Sequence, residues 1–245
     1  MSAFITPFGL FQYKVMPFGL SNAPATFQRA INNITQDLEE TSAYLDDLVV
    51  TSQSWEDHLW RLQKLLDRLQ AAGLTINLAK STFGRSSVIY LGHVVGDGMV
   101  RPMEANVEAI LSFPRPTTRK ALIRFLGMAG FYRRFCPNFS TLASPLTTLT
   151  SASIPFHWTP ACDQAFQHLK AFLASNPVMW APDHSRPFHL QIDASGVGIG
   201  AVLLQAASQS DILHPVAYHS AKLKKHQLNY STIEKDALAL ILALQ

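Results

Sequence analysis

Charged residues and cysteines are both scarce in this sequence. Charged side chains make up 15% of the 245 residues, well below the roughly 25% of an average domain. Hydrophobic residues make up 48%, and a chain with this much apolar surface to bury is not intrinsically disordered. The two cysteines, Cys136 and Cys162, are too few for a disulfide framework or a cysteine-ligated zinc site.

Long apolar runs and a leader-like N-terminus are lacking too. The sequence has no run of about 18 apolar residues, the length that indicates a membrane-spanning helix. Residues 1–7 carry neither the positive charge nor the apolar run of a secretory signal. We therefore expect an intracellular protein in a reducing compartment, without a membrane partner.

Acidic residues are absent from one long stretch. The net charge of the chain is only +3, yet residues 109–162 contain no Asp or Glu. The basic residues of this stretch, which alternate with phenylalanine and tyrosine, are Arg115, Arg119, Lys120, Arg124, Arg133 and Arg134. Such a pattern suits contact with a phosphate backbone. An ordinary amphipathic helix with a solvated basic face would give the same pattern, so the residues alone leave both interpretations open.

Turn signals divide the first hundred residues into short elements. They predict an extended start over 1–20, a helix from Asn22, a hairpin over 43–50, a helix between Ser54 and Gly73, a strand over 74–78 and a hairpin over 90–100.

The remaining residues change from a helical period to a period of two. Helices are predicted to start near Pro102, Thr118 and Thr159, with Thr159 as the N-cap and Pro160 as the first residue of the last one. Three prolines mark 177–187 as a linker. Strands are predicted over 188–193, 201–204 and 216–218, and a helix over 230–245.

Two adjacent carboxylates, Asp46 and Asp47, occupy the predicted hairpin tip. At about 4 Å and an effective dielectric constant near 20, their repulsion is roughly 4 kcal/mol. A Mg²⁺ ion would relieve it, because Mg²⁺ binds a few carboxylates together with substrate phosphates. Two-metal phosphoryl transfer uses such carboxylates. An exposed turn without a metal is the plain alternative.

The aspartate pair stands among other motifs in a fixed order. It follows MPFGLSNAPATFQ at 16–28 and precedes Gly73-Leu74 with Lys80, YLGH at 90–93 and FLGMAGFYRRF at 125–135. In order and spacing, these motifs resemble the reverse transcriptase region of the Pol polyprotein of gypsy-class LTR retrotransposons. The resemblance covers essentially the whole chain, and its last motif is similar to the thumb of that family.

The resemblance implies roles around an incoming nucleotide. Asp46, with Asp47 beside it, would bind a catalytic Mg²⁺. Phe18 and Gly19 would shape the pocket for the dNTP. Lys80 would lie near the triphosphate and could protonate the leaving pyrophosphate.

The resemblance also implies contacts to a template–primer duplex. The hairpin over 90–95, with Leu91, Gly92 and His93, would hold the primer end. The basic residues expected to hold the duplex are Arg119, Lys120, Arg124, Arg133 and Arg134. This favours the nucleic-acid interpretation of the basic stretch.

A second carboxylate pair lies near the C-terminal end. Asp193 ends a predicted strand, and Glu234 follows 41 residues later near a helix start. Alone, they could be a divalent-metal pair, or a surface aspartate and a first-turn glutamate favoured by the helix dipole. The segment resembles the ribonuclease H domain of retroelements. Asp193 and Glu234 match its first two metal-binding carboxylates, which would help two Mg²⁺ ions cut the RNA strand of a hybrid.

The implied fold is α+β. It consists of a partial palm (an antiparallel sheet with helices) over 1–100, a helical and basic thumb or connection over 101–182, and a truncated ribonuclease H-like α/β domain over 183–245. The implied function is RNA-directed DNA polymerase with ribonuclease H, by two-metal phosphoryl transfer. The expected location is a cytoplasmic particle or the nucleus.

The sequence departs from the family at its ends. A complete palm has a further metal-binding aspartate upstream, yet no Asp or Glu occurs before Asp37. Fingers and later nuclease carboxylates have no counterpart here either. We expect a catalytically incomplete chain, completed by the rest of Pol or a second protomer. The alternative is a non-catalytic nucleic-acid-binding remnant of a decayed or co-opted element.

Overall fold

The structure is a computed structural model that describes residues 3–17, 19–175, 177–207 and 211–245. It divides into two compact units, 1–84 and 85–245. Helices and antiparallel strands occur in both units, which confirms the α+β fold class. Within the described ranges, no helix has the length and apolar character needed to cross a membrane.

The first unit is built from two hairpins and two long helices. Its elements are β1 (Ala3–Thr6), β2 (Gly9–Gln12), α1 (Ala23–Thr35), β3 (Thr41–Tyr44), β4 (Asp47–Val50), α2 (Trp55–Ala71) and a 3₁₀ turn at Leu78–Lys80. β1 pairs with β2 and β3 pairs with β4, both antiparallel. Ile31 of α1 is buried with Leu65 and Leu69 of α2, so the two helices share a small core.

Local signals fix the ends of α2. The Ser54 side chain accepts a hydrogen bond from the Asp57 amide at 3.2 Å, which satisfies one of the free N–H groups of the first turn. Gly73 has φ +69°, a conformation that glycine adopts without strain and that commonly follows a helix. Both predicted boundaries are confirmed.

The second unit contains two sheets joined by a helical region. The elements of its first part are β5 (Ser87–Tyr90), β6 (His93–Gly96), β7 (Met99–Pro102), α3 (Glu104–Leu111), α4 (Arg119–Phe131), a 3₁₀ turn at Arg133–Phe135, α5 (Phe139–Leu142), α6 (Ser144–Thr148) and α7 (Pro160–Ala174). Those of its second part are β8 (Met179–Trp180), β9 (His189–Ala194), β10 (Gly198–Ala206), β11 (Leu213–Lys222), a 3₁₀ turn at Gln227–Asn229 and α8 (Thr232–Ala243). One sheet has the order β5-β6-β7-β8 and the other β11-β10-β9, and every pairing is antiparallel.

Two predictions about local structure are wrong. Residues 74–77 do not form a strand, because the Asn77 side chain accepts a hydrogen bond from the Ala79 amide at 3.1 Å and starts a 3₁₀ turn instead. The segment 177–187 is more than a linker. Its Met179 is 1% exposed, and β8 pairs with β7, so the segment is anchored in the core.

The main core lies beneath α4. Leu122, Phe125 and Ala129 on one face of this helix are fully buried. The Phe125 ring lies 4.5 Å, between centroids, from the ring of Phe166 on α7. α4 begins after Thr118, where a helix start was predicted, and the Thr118 side chain accepts a hydrogen bond from the Ala121 amide at 3.2 Å. With one face buried, the opposite face of α4 is held toward solvent.

The segment after α4 joins the helical region to the β9–β11 sheet. The Arg133 guanidinium donates to the Ser220 carbonyl of β11, and the Ser140 amide donates to the Ser220 hydroxyl at 3.0 Å. Asn138 adopts a left-handed backbone with φ +53°. Its side chain lies where a Cβ at Gly200 of β10 would collide with it. The hydrogen bonds to Ser220 hold this segment on the sheet, and the lack of a side chain at Gly200 allows the close approach.

Truncation of the Phe125 side chain tests how much the second unit depends on α4. Phe125→Ala should lower the free energy of unfolding by about 3–5 kcal/mol, because it leaves a cavity where a fully buried ring was. Ile123→Ala, on the same helix but 52% exposed, should change it by less than about 0.5 kcal/mol. Urea unfolding followed by circular dichroism measures both. Similar midpoint shifts for the two variants would contradict this account of the core.

Candidate functional site

Asp46 and Asp47 lie at the predicted hairpin, and helix α1 holds that hairpin in place. Tyr44 pairs with Asp47, so Leu45 and Asp46 form a two-residue turn. The Gln28 carboxamide accepts a hydrogen bond from the Leu45 amide at 2.6 Å and donates to the Ala43 carbonyl at 3.1 Å. This contact fixes the backbone of the turn that carries the carboxylates. Sequence reasoning missed this role of Gln28.

Both aspartates are exposed and offer hard oxygen donors, the ligand type that Mg²⁺ prefers. Within the described ranges, no three or more His, Cys, Asp or Glu side chains are grouped so that they could hold a metal ion. The pair therefore fits Mg²⁺ by ligand type but supplies only part of a coordination shell. Water and substrate oxygens commonly complete the shell of this ion.

The other residues predicted for the nucleotide site are Phe18, Gly19 and Lys80. Phe18 lies outside the described residues. Gly19 has φ +89°, and a Cβ at this position would meet no heavy atom within 4 Å among the described residues beyond its chain neighbours. Lys80 is exposed at the end of the 3₁₀ turn. The backbone at Gly19 is thus open to close approach by a ligand.

The residues predicted to hold a primer end form a tight turn. Leu91 and Gly92 both have positive φ values, 47° and 76°, as a type I′ hairpin requires. The Tyr132 hydroxyl donates to the Gly92 carbonyl at 3.0 Å. His93 Nδ1 lies 2.9 Å from the Leu91 carbonyl, to which it donates. Sequence reasoning missed Tyr132, because its partner is 40 residues away along the chain.

The His93 ring is enclosed by aromatic side chains. Its centroid lies 5.2 Å from that of Phe131 and 5.6 Å from that of Phe135, in stacked arrangements. Burial lowers the pKa of His93, and the nearby positive charge of Arg134 lowers it further. The ring is therefore favoured in its neutral form, which packs well in an apolar environment.

The five basic residues predicted to hold a duplex divide into two groups. Arg119 donates to the Leu149 carbonyl at 3.2 Å and to the Ile154 carbonyl at 2.6 Å, and Arg133 donates to Ser220. These two guanidinium groups hold loops and strands of their own chain.

The second group of basic residues projects into solvent. Lys120, Arg124 and Arg134 are exposed, and no hydrogen bond or ion pair engages them within the part of the chain that the structure describes. The Arg124 guanidinium lies over the Phe113 ring, 5.9 Å from its centroid. These three cations are therefore available to a polyanion.

The C-terminal carboxylates lie on neighbouring elements, since α8 packs against β9. Asp193 is exposed on β9 opposite Gly200. One oxygen of Glu234 accepts hydrogen bonds from both the amide and the hydroxyl of Ser231, each at 2.8 Å. These bonds lower the pKa of Glu234. Glu234 is thus part of a capping box, which the Ser231-to-Glu234 spacing could have revealed.

Two family models match this chain. One is described as reverse transcriptase (RNA-dependent DNA polymerase) and matches residues 1–95. The other is described as an RNase H-like domain found in reverse transcriptase and matches residues 158–245.

The curated relatives are retrotransposon polyproteins. The chain is 39% identical over 245 residues to the transposon Tf2-3 and Tf2-4 polyproteins of Schizosaccharomyces pombe. The alignment covers 99% of this chain and 18% of each relative, so the chain spans less than a fifth of their length.

Solved structures agree in fold. The foamy viral protease-reverse transcriptase in complex with an RNA/DNA hybrid matches with a TM-score of 0.82 and 24% identity, covering 99% of this chain and 33% of that one. The same viral protein in complex with dsDNA matches with a TM-score of 0.81 and 25% identity, covering 99% and 50%. They agree with the predicted α+β fold. The two family models and the 39% identity confirm the predicted resemblance to the reverse transcriptase and ribonuclease H-like region of Ty3/gypsy-type retrotransposon polyproteins.

Proposed function

We propose that this chain acts in RNA-directed DNA synthesis coupled to degradation of the RNA strand, within a retrotransposon polyprotein. The observation that carries the proposal is the presence of both matches in one chain, reverse transcriptase over 1–95 and RNase H-like over 158–245. DNA synthesis on an RNA template produces an RNA–DNA hybrid, which is the substrate of a ribonuclease H. Two such domains in one chain therefore act on the same nucleic acid in succession.

The exposed face of α4 is the proposed contact with the template–primer duplex. Lys120, Arg124, Gly127 and Phe131 recur at intervals of four, three and four residues, so they share one side of the helix. In the part of the chain that the structure describes, a Cβ at Gly127 would meet no atom within 4 Å outside the adjacent backbone of its own helix, which leaves room for a phosphate backbone to approach. Because each neutralised phosphate releases counterions, a duplex should bind this face in a salt-dependent way.

Nucleotide addition is assigned to the first unit. Asp46 and Asp47 would hold Mg²⁺, which supplies charge stabilisation for phosphoryl transfer. Gln28 keeps their hairpin fixed. Phe18 and Gly19 would accommodate the dNTP, and Lys80 would lie near its phosphates. In the second unit, Leu91, Gly92 and His93 would hold the primer end.

Cleavage of the RNA strand is assigned to Asp193 and Glu234, which would hold Mg²⁺. In the structure one carboxylate oxygen of Glu234 already accepts two hydrogen bonds from Ser231. A metal ion at this site would therefore use its other oxygen, or would release the cap.

We further propose that the chain alone is a weak polymerase and nuclease. The described residues contain no group of three or more metal-binding side chains, whereas a two-metal site must position both reacting oxygens. Other parts of the polyprotein or a second protomer would supply the missing ligands. The second candidate, a non-catalytic nucleic-acid-binding remnant, rests on the same observation.

The duplex surface predicts a charge-specific effect on binding. Lys120→Gln and Arg124→Gln should each weaken binding of an RNA–DNA hybrid and make the slope of log K against log salt about one unit shallower. Lys64→Gln, an equal charge loss on α2, should leave the slope unchanged. Fluorescence anisotropy at salt concentrations from about 50 to 300 mM measures the affinity for the hybrid and hence this slope. Equal slopes for the parent chain and all three variants would exclude the α4 face as the duplex contact.

Metal binding at the hairpin is tested with Mn²⁺ as a paramagnetic probe for Mg²⁺. The ion should broaden the backbone amide signals of residues 45–48, and Asp46→Asn should abolish the broadening because one of two adjacent ligands is lost. Asp67→Asn provides the control, since it removes an exposed carboxylate of the same unit whose side chain can still accept from Gln63. Broadening that persists in Asp46→Asn would contradict the assignment.

Catalytic incompleteness predicts little primer extension by the purified chain on a poly(rA) template with Mg²⁺ and dTTP. The reason is the small number of metal ligands that the described residues bring together. Gel analysis of extended primers measures the rate for the chain and for Asp46→Asn. Robust extension that disappears in Asp46→Asn would show that the chain is a competent polymerase and would refute the proposed incompleteness.

A further inference from the structure

We infer that Tyr132 is a positioning residue whose hydroxyl fixes the Leu91–Gly92 turn and thereby the primer end that this turn holds. The effect on the turn follows from contacts within the chain. The effect on the primer rests on the proposed function. Tyr132 is 2% exposed, so it acts through the turn and not by touching nucleic acid.

The turn needs contacts that hold it in place. Leu91 and Gly92 both adopt left-handed backbone conformations. Glycine tolerates this, but leucine is disfavoured there because its Cβ crowds the backbone. The Leu91 side chain is 40% exposed, so its own packing cannot be the main restraint. A turn of this kind persists only where the surrounding structure determines it.

A chain of two hydrogen bonds supplies the restraint. Asn106 of α3 donates its side-chain amide to the Tyr132 hydroxyl at 2.8 Å, and this hydroxyl donates to the Gly92 carbonyl at 3.0 Å. The hydroxyl is buried, so water does not readily replace either bond. Its loss would leave both Asn106 and Gly92 without these partners, and the Gly92 peptide would be free to reorient.

Ring packing supports the turn but cannot replace the hydroxyl. A Cβ at Gly92 would lie only 3.0 Å from the Phe131 ring, and the His93 ring stacks between Phe131 and Phe135. These contacts restrict where the hairpin end can lie. They are non-directional, however. His93 Nδ1 restrains the Leu91 carbonyl, and the hydrogen bond from Tyr132 selects one orientation of the Gly92 carbonyl that follows it.

The same segment thus connects two parts of the proposed duplex surface. α4 presents Lys120 and Arg124 to solvent, and Tyr132, directly after its last turn, holds the hairpin end. Loss of the Tyr132 hydroxyl should therefore disturb the primer end while leaving overall duplex affinity, which the basic face supplies, nearly unchanged.

The test compares Tyr132→Phe with Tyr218→Phe in the full chain. Tyr218 packs against the same core cluster, so its variant also removes a partly buried hydroxyl but does not touch the turn. NMR-detected hydrogen exchange of the amides from Tyr90 to His93 should become about two- to tenfold faster in Tyr132→Phe, as expected for loss of one hydrogen bond. It should stay unchanged in Tyr218→Phe.

A second readout reports on the nucleic acid. An RNA template annealed to a primer with 2-aminopurine at its 3′ end should change in fluorescence on binding the parent chain. This change should be largely lost with Tyr132→Phe, although the dissociation constant should stay within about twofold, because the basic face is intact.

Asn106→Ala gives an independent variant in case Tyr132→Phe folds poorly. It removes only the outer bond of the chain, so it should speed exchange at the turn in the same direction. The double variant should not add to Tyr132→Phe, because both changes break the same hydrogen-bond chain.

The outcomes separate the two levels of the claim. Unchanged exchange at the turn in both Tyr132→Phe and Asn106→Ala would overturn the positioning role, as would equal acceleration in Tyr218→Phe. Faster exchange with an unchanged primer-end signal would overturn the proposed contact between the turn and the primer, while the role of Tyr132 within the protein would stand.

Discussion

The second unit depends on the complete burial of one face of α4. Because Leu122, Phe125 and Ala129 have no exposure, the rotation of the helix about its axis is fixed. The opposite face, with Lys120 and Arg124, is then held in solvent. Because the rotation of the helix is fixed, the directions of the residues that follow it are fixed as well. The burial of one helix face therefore determines where Tyr132 and Arg133 lie.

The two residues directly after α4 illustrate this constraint. Tyr132 is aimed at the 90–93 turn, and Arg133 is aimed at Ser220 on the other sheet. One short segment thereby attaches both the β5–β6 hairpin and the β9–β11 sheet to the same helix. Arg133 and Arg119 also show that a basic residue in a stretch without acidic residues can be used to satisfy backbone carbonyls of its own chain.

Sequence reasoning succeeded where the determining contacts are local. Ser54 and Thr118 bond to amides three residues ahead, so their helices could be located from the residues alone. It failed where the partner is distant. β8 forms because β7 lies beside it, not because of its own composition. The failure at residues 74–77 has a different reason, because there the deciding contact is local: the Asn77 side chain accepts from the Ala79 amide and competes successfully with the strand conformation.

The same distinction applies to the candidate site. The positions of Asp46 and Asp47 at a hairpin tip could be predicted, since apolar residues flank the pair on both sides. Gln28 and Tyr132 could not, because their hydrogen bonds span 17 and 40 residues. The capping role of Glu234 was within reach, since its partner Ser231 lies only three residues away.

The central claim is that the solvent face of α4 and the 90–93 turn contact the same duplex. NMR chemical-shift mapping with a short RNA–DNA hybrid tests it directly. We predict that the largest amide shifts occur together at Leu91–His93 and along Lys120, Arg124 and Gly127. Shifts that are confined to α2, with both of these regions unchanged, would contradict the claim.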